Sequence, residues 1–292
     1  MRLLVTGATG QLGTDVVAAA LARGHDVHGT DLPALDLTDA VSVRELLESV
    51  RPEAVVHTAA FTRVDECEDR PDLARAVNAG ATRHVAEAAE RVGAHLVHVS
   101  TDYVFDGTKP APYTEDDEPC PVSVYGASKL EAELAVGPAA TVARTSWLCG
   151  RHGPNIVRTV LRLAAERPTL RFVTDQVGRP TFAADLAPRL VVLAEERVPG
   201  IVHTTNGRAV SWWEFAREVM DSAGLDPERV EPVTTAELDP PPRARRPANS
   251  ELDDPVWRAL GLGPVRDHRE PLDELVAQLL GDGPSGAAGG RG

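Results

Sequence analysis

From its first residue the chain alternates short apolar runs with longer stretches in which apolar residues recur every three or four positions. "RLLVTG" is an unbroken apolar run closed by glycine, the pattern of a strand buried on both faces. "QLGTDVVAAALARG" predicts a helix stopped by Gly24, and "HDVHGTD" a second strand. A helix closed by Pro52 follows in "DAVSVRELLESVRP", then a third strand in "EAVVHTAA". "PDLARAVNAGATRHVAEAAERVG" predicts one long helix ending near Gly93, and "AHLVHVSTDYVF" a fourth strand. Strands alternating with crossover helices imply an α/β fold built on a doubly wound parallel sheet.

The second half is less regular. "TVARTSWLCG" predicts a strand and its exit, "NIVRTVLRLAAER" and "SWWEFAREVMDSAGL" predict helices, and the segment between these two helices mixes strand, turn and helix. "DPPPRARRPANSELDD" is rich in proline and arginine, an irregular stretch able to line a site. The last residues, "GDGPSGAAGGRG", have nothing to bury and are expected to form a disordered tail over 281–292.

Composition narrows the partners. The net charge of −14 argues against nucleic acid or an anionic membrane as the main partner, although a site can be locally positive. No apolar run approaches the ~20 residues of a membrane helix. Cys67, Cys120 and Cys149 are odd in number and widely spaced, which suggests neither a disulfide framework nor a metal site. With no leader sequence apparent, a cytoplasmic protein with reduced thiols is expected.

"VTGATGQLG" sets Gly7, Gly10 and Gly13 at the turn from first strand to first helix. Glycines there admit a diphosphate close to the backbone, and the helix N-terminus offers free N–H groups to it. The context is that of a Rossmann-type nucleotide-binding domain. Asp31, at the end of the second strand, can accept from an adenosine ribose and would disfavour a 2′-phosphate; otherwise it is a surface carboxylate at a strand end.

"VSVYGASKLEAE" raises the chemistry. The chain has three tyrosines and only two lysines, Lys109 and Lys129, and Lys129 follows Tyr125 by four residues. Positions i and i+4 share a helix face. A phenol holds its proton to a pKa of about 10, and a nearby ammonium favours the phenolate, which would make Tyr125 a usable acid or base. Ser100, Thr101 and Asp102 end the fourth strand, where ligands bind in open α/β sheets. A hydroxyl there can donate to the same oxygen that Tyr125 protonates.

"TGATGQLG", "AAFTRVDECE", "STDYVFDG", "YGASKLEAE", "RTSWL", "DQVGRPT" and "RPANSEL" stand in the order and rough spacing of a known family. On them the chain resembles the extended short-chain dehydrogenase/reductase superfamily, in its sugar-nucleotide branch, and within it the dTDP-4-dehydrorhamnose reductase family over about residues 1–280. The resemblance implies a Rossmann-type NAD(P)-binding domain over 1–150 and a smaller, mainly substrate-binding α/β domain over 151–280, with some return to the first. It implies reduction of the C4 ketone of a dTDP-4-keto-6-deoxy sugar by NADPH or NADH, with catalytic Thr101, Tyr125 and Lys129. Cofactor contacts would come from Gly7, Thr9, Gly10, Gln11, Leu12, Gly13, Asp31, Asp36, Leu37, Ala59, Ala60, Thr62, Tyr125 and Lys129. Substrate contacts would come from Asp102, Val104, Trp147, Gln176 and Arg246; Trp147 would pack on the sugar or the thymine, or serve only the core. Some family members dimerise through acidic residues and a magnesium ion. Asp15 matches one such residue and a homodimer is allowed, but no metal is assigned. The departures, Cys149 after "RTSWL" and Val177 and Arg179 within "DQVGRPT", fall on the substrate side. They leave room for a reductase of another dTDP-4-keto-6-deoxy sugar in secondary metabolism. A non-catalytic NAD(P)-binding regulatory subunit of methionine adenosyltransferase type is the other alternative.

Overall fold

The computed structural model describes residues 1–281, so the tail expected over 281–292 lies outside the described residues but for Gly281. The first half builds the alternation that the pattern predicts: β1 (Arg2–Thr6), α1 (Gly13–Ala22), β2 (Asp26–Thr30), α2 (Ala40–Val50) and β3 (Ala54–His57). Then come α3 (Val64–Asp69), α4 (Pro71–Arg75), α5 (Ala81–Val92) and β4 (His95–Thr101). The single helix expected over 71–93 forms as a continuous run of helical backbone from Pro71 to Val92, but it widens by a five-residue π-type turn over Ala76–Gly80. The reason lies in Asn78. Its side chain accepts from Phe61 N at 2.7 Å and donates to Phe61 O and Ser128 Oγ at 3.1 and 2.9 Å, so the residue is turned into the protein. Such wide turns recur at functional sites.

The second half supplies α6 (Val124–Ala135), β5 (Thr141–Thr145), β6 (Leu148–Cys149), α7 (Ile156–Glu166), β7 (Leu170–Val173), β8 (Val177–Gly178) and β9 (Thr181–Phe182). It continues through α8 (Ala183–Glu195), β10 (Gly200–His203), β11 (Val210–Ser211), α9 (Trp212–Ser222), β12 (Val230–Val233), α10 (Pro255–Ala259) and α11 (Arg269–Gly281). Six strands form one parallel sheet in the order β10-β5-β4-β3-β1-β2. The four-residue β10 was not foreseen; it is too short and too polar at its end to stand out from the loops around it.

Both faces of this sheet are covered, which is why its strands read as continuous apolar runs. On one face Val16 and Ala20 of α1 meet Leu186, Leu190 and Leu193 of α8 over Leu3, Val5 and Val56. On the other, Val43 and Leu47 of α2 and Val85, Ala88 and Ala89 of α5 cover Leu4, Val55 and Leu96. Leu190 is fully buried, so Leu190→Ala would cost about 2–5 kcal/mol. A separate core holds α7, α9 and α11 together through Val157, Val160, Phe215, Val219, Met220, Leu272 and Val276, with β7 and β12 paired beside it. The helix α9 starts with a reciprocal cap between Ser211 and Glu214.

The chain runs from β1 outward to β2, then crosses back to β3 on the other side of β1. That reversal opens a crevice at the carboxyl ends of β1 and β3, where an open α/β sheet receives its ligand.

Candidate active site

A cavity of about 640 Å³ occupies this crevice, a volume within the usual range for a small-molecule site. Its floor is the turn before α1. Gly13 packs so closely that a Cβ there would lie 2.0 Å from the Gly7 carbonyl oxygen. No side chain caps the N-terminus of α1, whose cap position is Leu12; Thr14 N donates back to Gly10 O at 3.2 Å, and the positive end of the helix is left toward the turn that lines the cavity. Of the residues expected to contact a cofactor, Gly7, Thr9, Gly10, Gln11, Leu12, Asp31, Asp36, Leu37, Ala59, Ala60 and Thr62 line the cavity. Gly13 shapes the turn from behind and does not reach it. Asp31 is already engaged: its Oδ2 accepts from Thr9 N and Thr9 Oγ1 at 3.1 and 2.6 Å. The Gln11 side chain donates to Leu148 O at 2.8 Å, tying the glycine turn to the exit from β5.

The other wall is the start of α6. Ser123 caps this helix by accepting from Gly126 N, and Glu68 of α3 accepts from Val124 N at 2.8 Å. Gly126 matters for a second reason. A Cβ at that position would stand 2.1 Å from Tyr103 O, so only glycine lets α6 press against the turn that follows β4. That contact sets Tyr125 beside Thr101, near enough for the threonine hydroxyl to act on the phenol. Thr101 Oγ1 donates to Asp102 Oδ1 at 2.9 Å. Thr101, Asp102, Tyr125 and Lys129 therefore face one cavity, together with Trp147.

The electrostatics differ from the expected coupling of ammonium and phenol. Burial is the largest influence on Tyr125 and raises its pKa, opposed by the Thr101 hydroxyl and reinforced by Asp102. The Lys129 amine is drawn instead to the sheet, where it donates to Val99 O at 2.8 Å and meets His98 Nε2 at 3.2 Å. Burial lowers the Lys129 pKa to about 8, with Glu133 working against it. Burial pushes Asp102 up to about 6, opposed by the hydroxyls of Ser250 and Thr101, and its Oδ2 has no hydrogen-bond partner among the described residues.

Of the residues expected on the substrate side, Asp102 and Trp147 line the cavity. Trp147 holds a left-handed backbone (φ 47°) and stacks on Trp212 at 3.5 Å, almost coplanar. The others lie outside the lining. Val104 is fully buried in a small cluster with Phe105, Tyr113 and Leu252. Gln176 donates to Thr235 Oγ1 at 2.8 Å. Arg246 pairs with Asp65 of α3 at 2.8 Å and with the Tyr103 hydroxyl, adjacent to the cavity rather than in it. Asp15 is half-buried among His152 and Arg151 rather than among carboxylates. Sequence reasoning missed Trp212, Gly153 and Pro154 in the lining, and the buried residues His57, His98 and Asn78 behind it. The histidines were detectable, because each is a polar residue at an inward position of an apolar strand.

A parallel sheet with a glycine turn at its reversal point, facing a tyrosine–lysine pair across one cavity, defines a Rossmann-type oxidoreductase of the short-chain dehydrogenase/reductase kind. More narrowly, the chain belongs to the family described as the RmlD substrate binding domain, whose model matches residues 1–280. It is 42% identical to a dTDP-4-dehydrorhamnose reductase of Streptomyces griseus, over 96% of this chain and 94% of that one. A probable dTDP-4,6-dihydroxy-2-methyloxan-3-one 4-ketoreductase of Streptomyces antibioticus is 41% identical, over 96% of both. Among solved structures, the dTDP-4-dehydrorhamnose reductase of Bacillus anthracis in complex with NADP superposes with a TM-score of 0.90 at 36% identity, covering 95% of this chain and 99% of that one.

Proposed function

We propose that this chain reduces the C4 ketone of dTDP-4-dehydro-L-rhamnose to dTDP-L-rhamnose with NADPH or NADH. The observation that carries the reading is the gathering of Thr101, Asp102, Tyr125 and Lys129 in one cavity with the glycine turn. Names of relatives that span nearly the whole chain support it. The residues present fit a dinucleotide: glycines that no side chain could replace, an uncapped helix N-terminus for the diphosphate, and carboxylates at the end of β2 and just beyond it for the ribose and adenine. Bound there, the nicotinamide supplies the hydride.

The chain's own groups then handle the oxygen. The raised pKa of Tyr125 keeps the phenol protonated at neutral pH, so it can donate to the ketone oxygen. Thr101 gives its proton to Asp102 Oδ1 at 2.9 Å, so it becomes a second donor to that oxygen only by turning its hydroxyl away from the carboxylate; such donors strengthen as charge develops there. Lys129, one turn on from Tyr125 on the same helix face, would supply an ammonium toward the cofactor ribose. Trp147 and Trp212 present a stacked aromatic rim for the sugar or the base. Cavity volume and lining both suit a small-molecule dTDP-sugar as the partner, and free thiols at Cys67, Cys120 and Cys149 agree with a cytoplasmic setting.

The test is oxidation of NADPH and of NADH in parallel, with dTDP-4-dehydro-L-rhamnose made in situ and the product read by NMR. Rapid oxidation to dTDP-L-rhamnose is expected; cofactor binding without turnover would overturn the assignment. The Streptomyces antibioticus relative favours a second reading, a ketoreductase of a related dTDP-4-keto sugar. Product stereochemistry separates the two.

A further inference from the structure

Behind Lys129 stand two histidines that this chemistry does not use. His57 ends β3, and His98 is its register partner on β4, with the rings stacked 5.3 Å apart. Both are buried. His57 has its hydrogen bonds satisfied. Thr82 Oγ1 donates to Asn78 O at 2.5 Å, so it must accept from His57 Nε2, at 3.0 Å. The other nitrogen, Nδ1, then accepts from Thr6 Oγ1 at 2.6 Å. Burial, with Lys129 second, lowers this ring to about 3, and it stays neutral. His98 differs. Its Nε2 lies 3.2 Å from Lys129 Nζ, and its Nδ1 is buried with no partner among the described residues.

An ammonium has only hydrogens to give. A charged Lys129 therefore needs acceptors, and among the described residues it has two, Val99 O and His98 Nε2. His98 Nε2 can accept only if the ring is neutral and carries its proton on Nδ1. A charged ring would face the ammonium in a dry interior; burial first, then Lys129 and His57, hold His98 well below its ordinary range. The other charges nearby are committed elsewhere. Glu133, one turn further along α6, favours the ammonium but is bonded to Arg144 of β5 and Ser100 of β4. Asp102 acts on Tyr125. Glu68 of α3 holds Val124 N, and Arg75 of α4 pairs with Glu131.

We propose that His98 is a positioning residue for Lys129: its neutral imidazole takes one N–H of the ammonium, Val99 O takes a second, and the third is left for the ligand in the cavity. The orphaned Nδ1–H is the cost of that arrangement. A hydrocarbon in its place would leave the buried ammonium with one acceptor, and the lysine would give up its proton at lower pH. The inference rests on the role proposed for Lys129, yet it can be read from the lysine directly.

The chain's two lysines make the measurement simple. Labelling with ε-¹³C-lysine gives two side-chain signals in NMR, and Lys109→Arg assigns them. Lys129 should titrate near pH 8 in the unsubstituted protein. His98→Leu should weaken its proton affinity by about tenfold or more, whereas His98→Gln, which keeps an acceptor, should stay within about threefold. The same order should appear in the affinity for reduced cofactor. An unchanged Lys129 titration in folded His98→Leu would overturn the proposal. So would a ¹⁵N spectrum of the unsubstituted protein near pH 7 showing the His98 proton on Nε2, a readout that needs no variant to fold. Neither depends on turnover, so failure of the reductase assignment and failure of this one are separate results.

Discussion

Lys129 and Glu133 sit one turn apart on α6, both inside the protein, and the fold treats them in opposite ways. Glu133 receives Arg144 through two bonds of 2.9 and 2.7 Å and the Ser100 hydroxyl at 2.5 Å, and the guanidinium lies over the Phe105 ring. Lys129 has a carbonyl and a neutral imidazole. Asp102, across the cavity, leaves one carboxylate oxygen without a partner among the described residues. A buried ion that is fully paired roughly breaks even, whereas one left short of partners costs stability. The paired cluster, its charges matched although Arg144 Nη1 has no hydrogen-bond partner among the described residues, ties α6 to β4 and β5; the cluster without an opposite charge in contact faces the cavity. Charge left incompletely compensated at a cavity therefore marks the machinery here, and a compensated pair marks the frame that holds it.

Breaking each cluster should produce a different kind of damage. Tyr125→Phe should lower turnover by roughly 10²- to 10⁴-fold while reduced cofactor still binds, because only the proton donor is lost. Near-normal turnover would remove Tyr125 from the role of acid. Glu133→Ala should instead cost about 3–5 kcal/mol in denaturant unfolding, since it strands the buried Arg144 guanidinium. The paired change Glu133→Leu with Arg144→Met should recover most of that loss. If the double variant unfolds as readily as the single one, the pair contributes more than mutual neutralisation and the comparison fails.

The same contrast explains what the sequence could and could not reveal. The sheet was legible because strands buried on both faces are apolar runs, and the glycine turn and Tyr125–Lys129 spacing were legible because their chemistry is local. The wide turn at Ala76–Gly80 was not, because its cause is Asn78 reaching Phe61 and Ser128, residues far off in the chain. The same holds for β10, whose place beside β5 is set by packing rather than by its four residues. The lysine's true partners were hidden for a related reason. Sequence spacing shows that Lys129 shares a helix face with Tyr125, but only the assembled sheet shows that Val99 O and His98 lie within reach of its amine.

Asp102 sharpens the comparison through pH. Its folded pKa, near 6, lies above the ordinary carboxyl value of 3.8, so the folded state favours the protonated form. The stabilisation linked to that proton is fully present below about pH 3.8 and is lost as pH rises through 6. Asp102→Asn does not titrate. Its stability relative to the unsubstituted protein should therefore be nearly constant below about pH 4, rise as pH passes from 4 to 6, and level off about 3 kcal/mol higher by pH 7–8. Other carboxyls, Glu115 among them, titrate in both proteins and cancel in the difference. A pH-independent difference would mean that Asp102 is not desolvated as the structure shows.

Arg246 should give the smallest effect, and it tests whether the frame and the machinery are as separate as Glu133 and Lys129 make them look. The guanidinium carries positive charge next to a cavity proposed to take a diphosphate, yet it is bonded to Asp65 and the Tyr103 hydroxyl. Tyr103 in turn packs edge-on against Tyr125, with ring centroids 5.7 Å apart. If Arg246 meets the substrate, Arg246→Ala should raise KM for the dTDP-sugar by about tenfold, the worth of one charge-assisted bond, and leave kcat within about threefold. If it serves only to brace Tyr103, kcat should fall with KM unchanged, and Asp65→Asn should reproduce the fall. The second pattern would place the proline-rich segment around Arg246 with the frame, in keeping with its absence from the cavity lining.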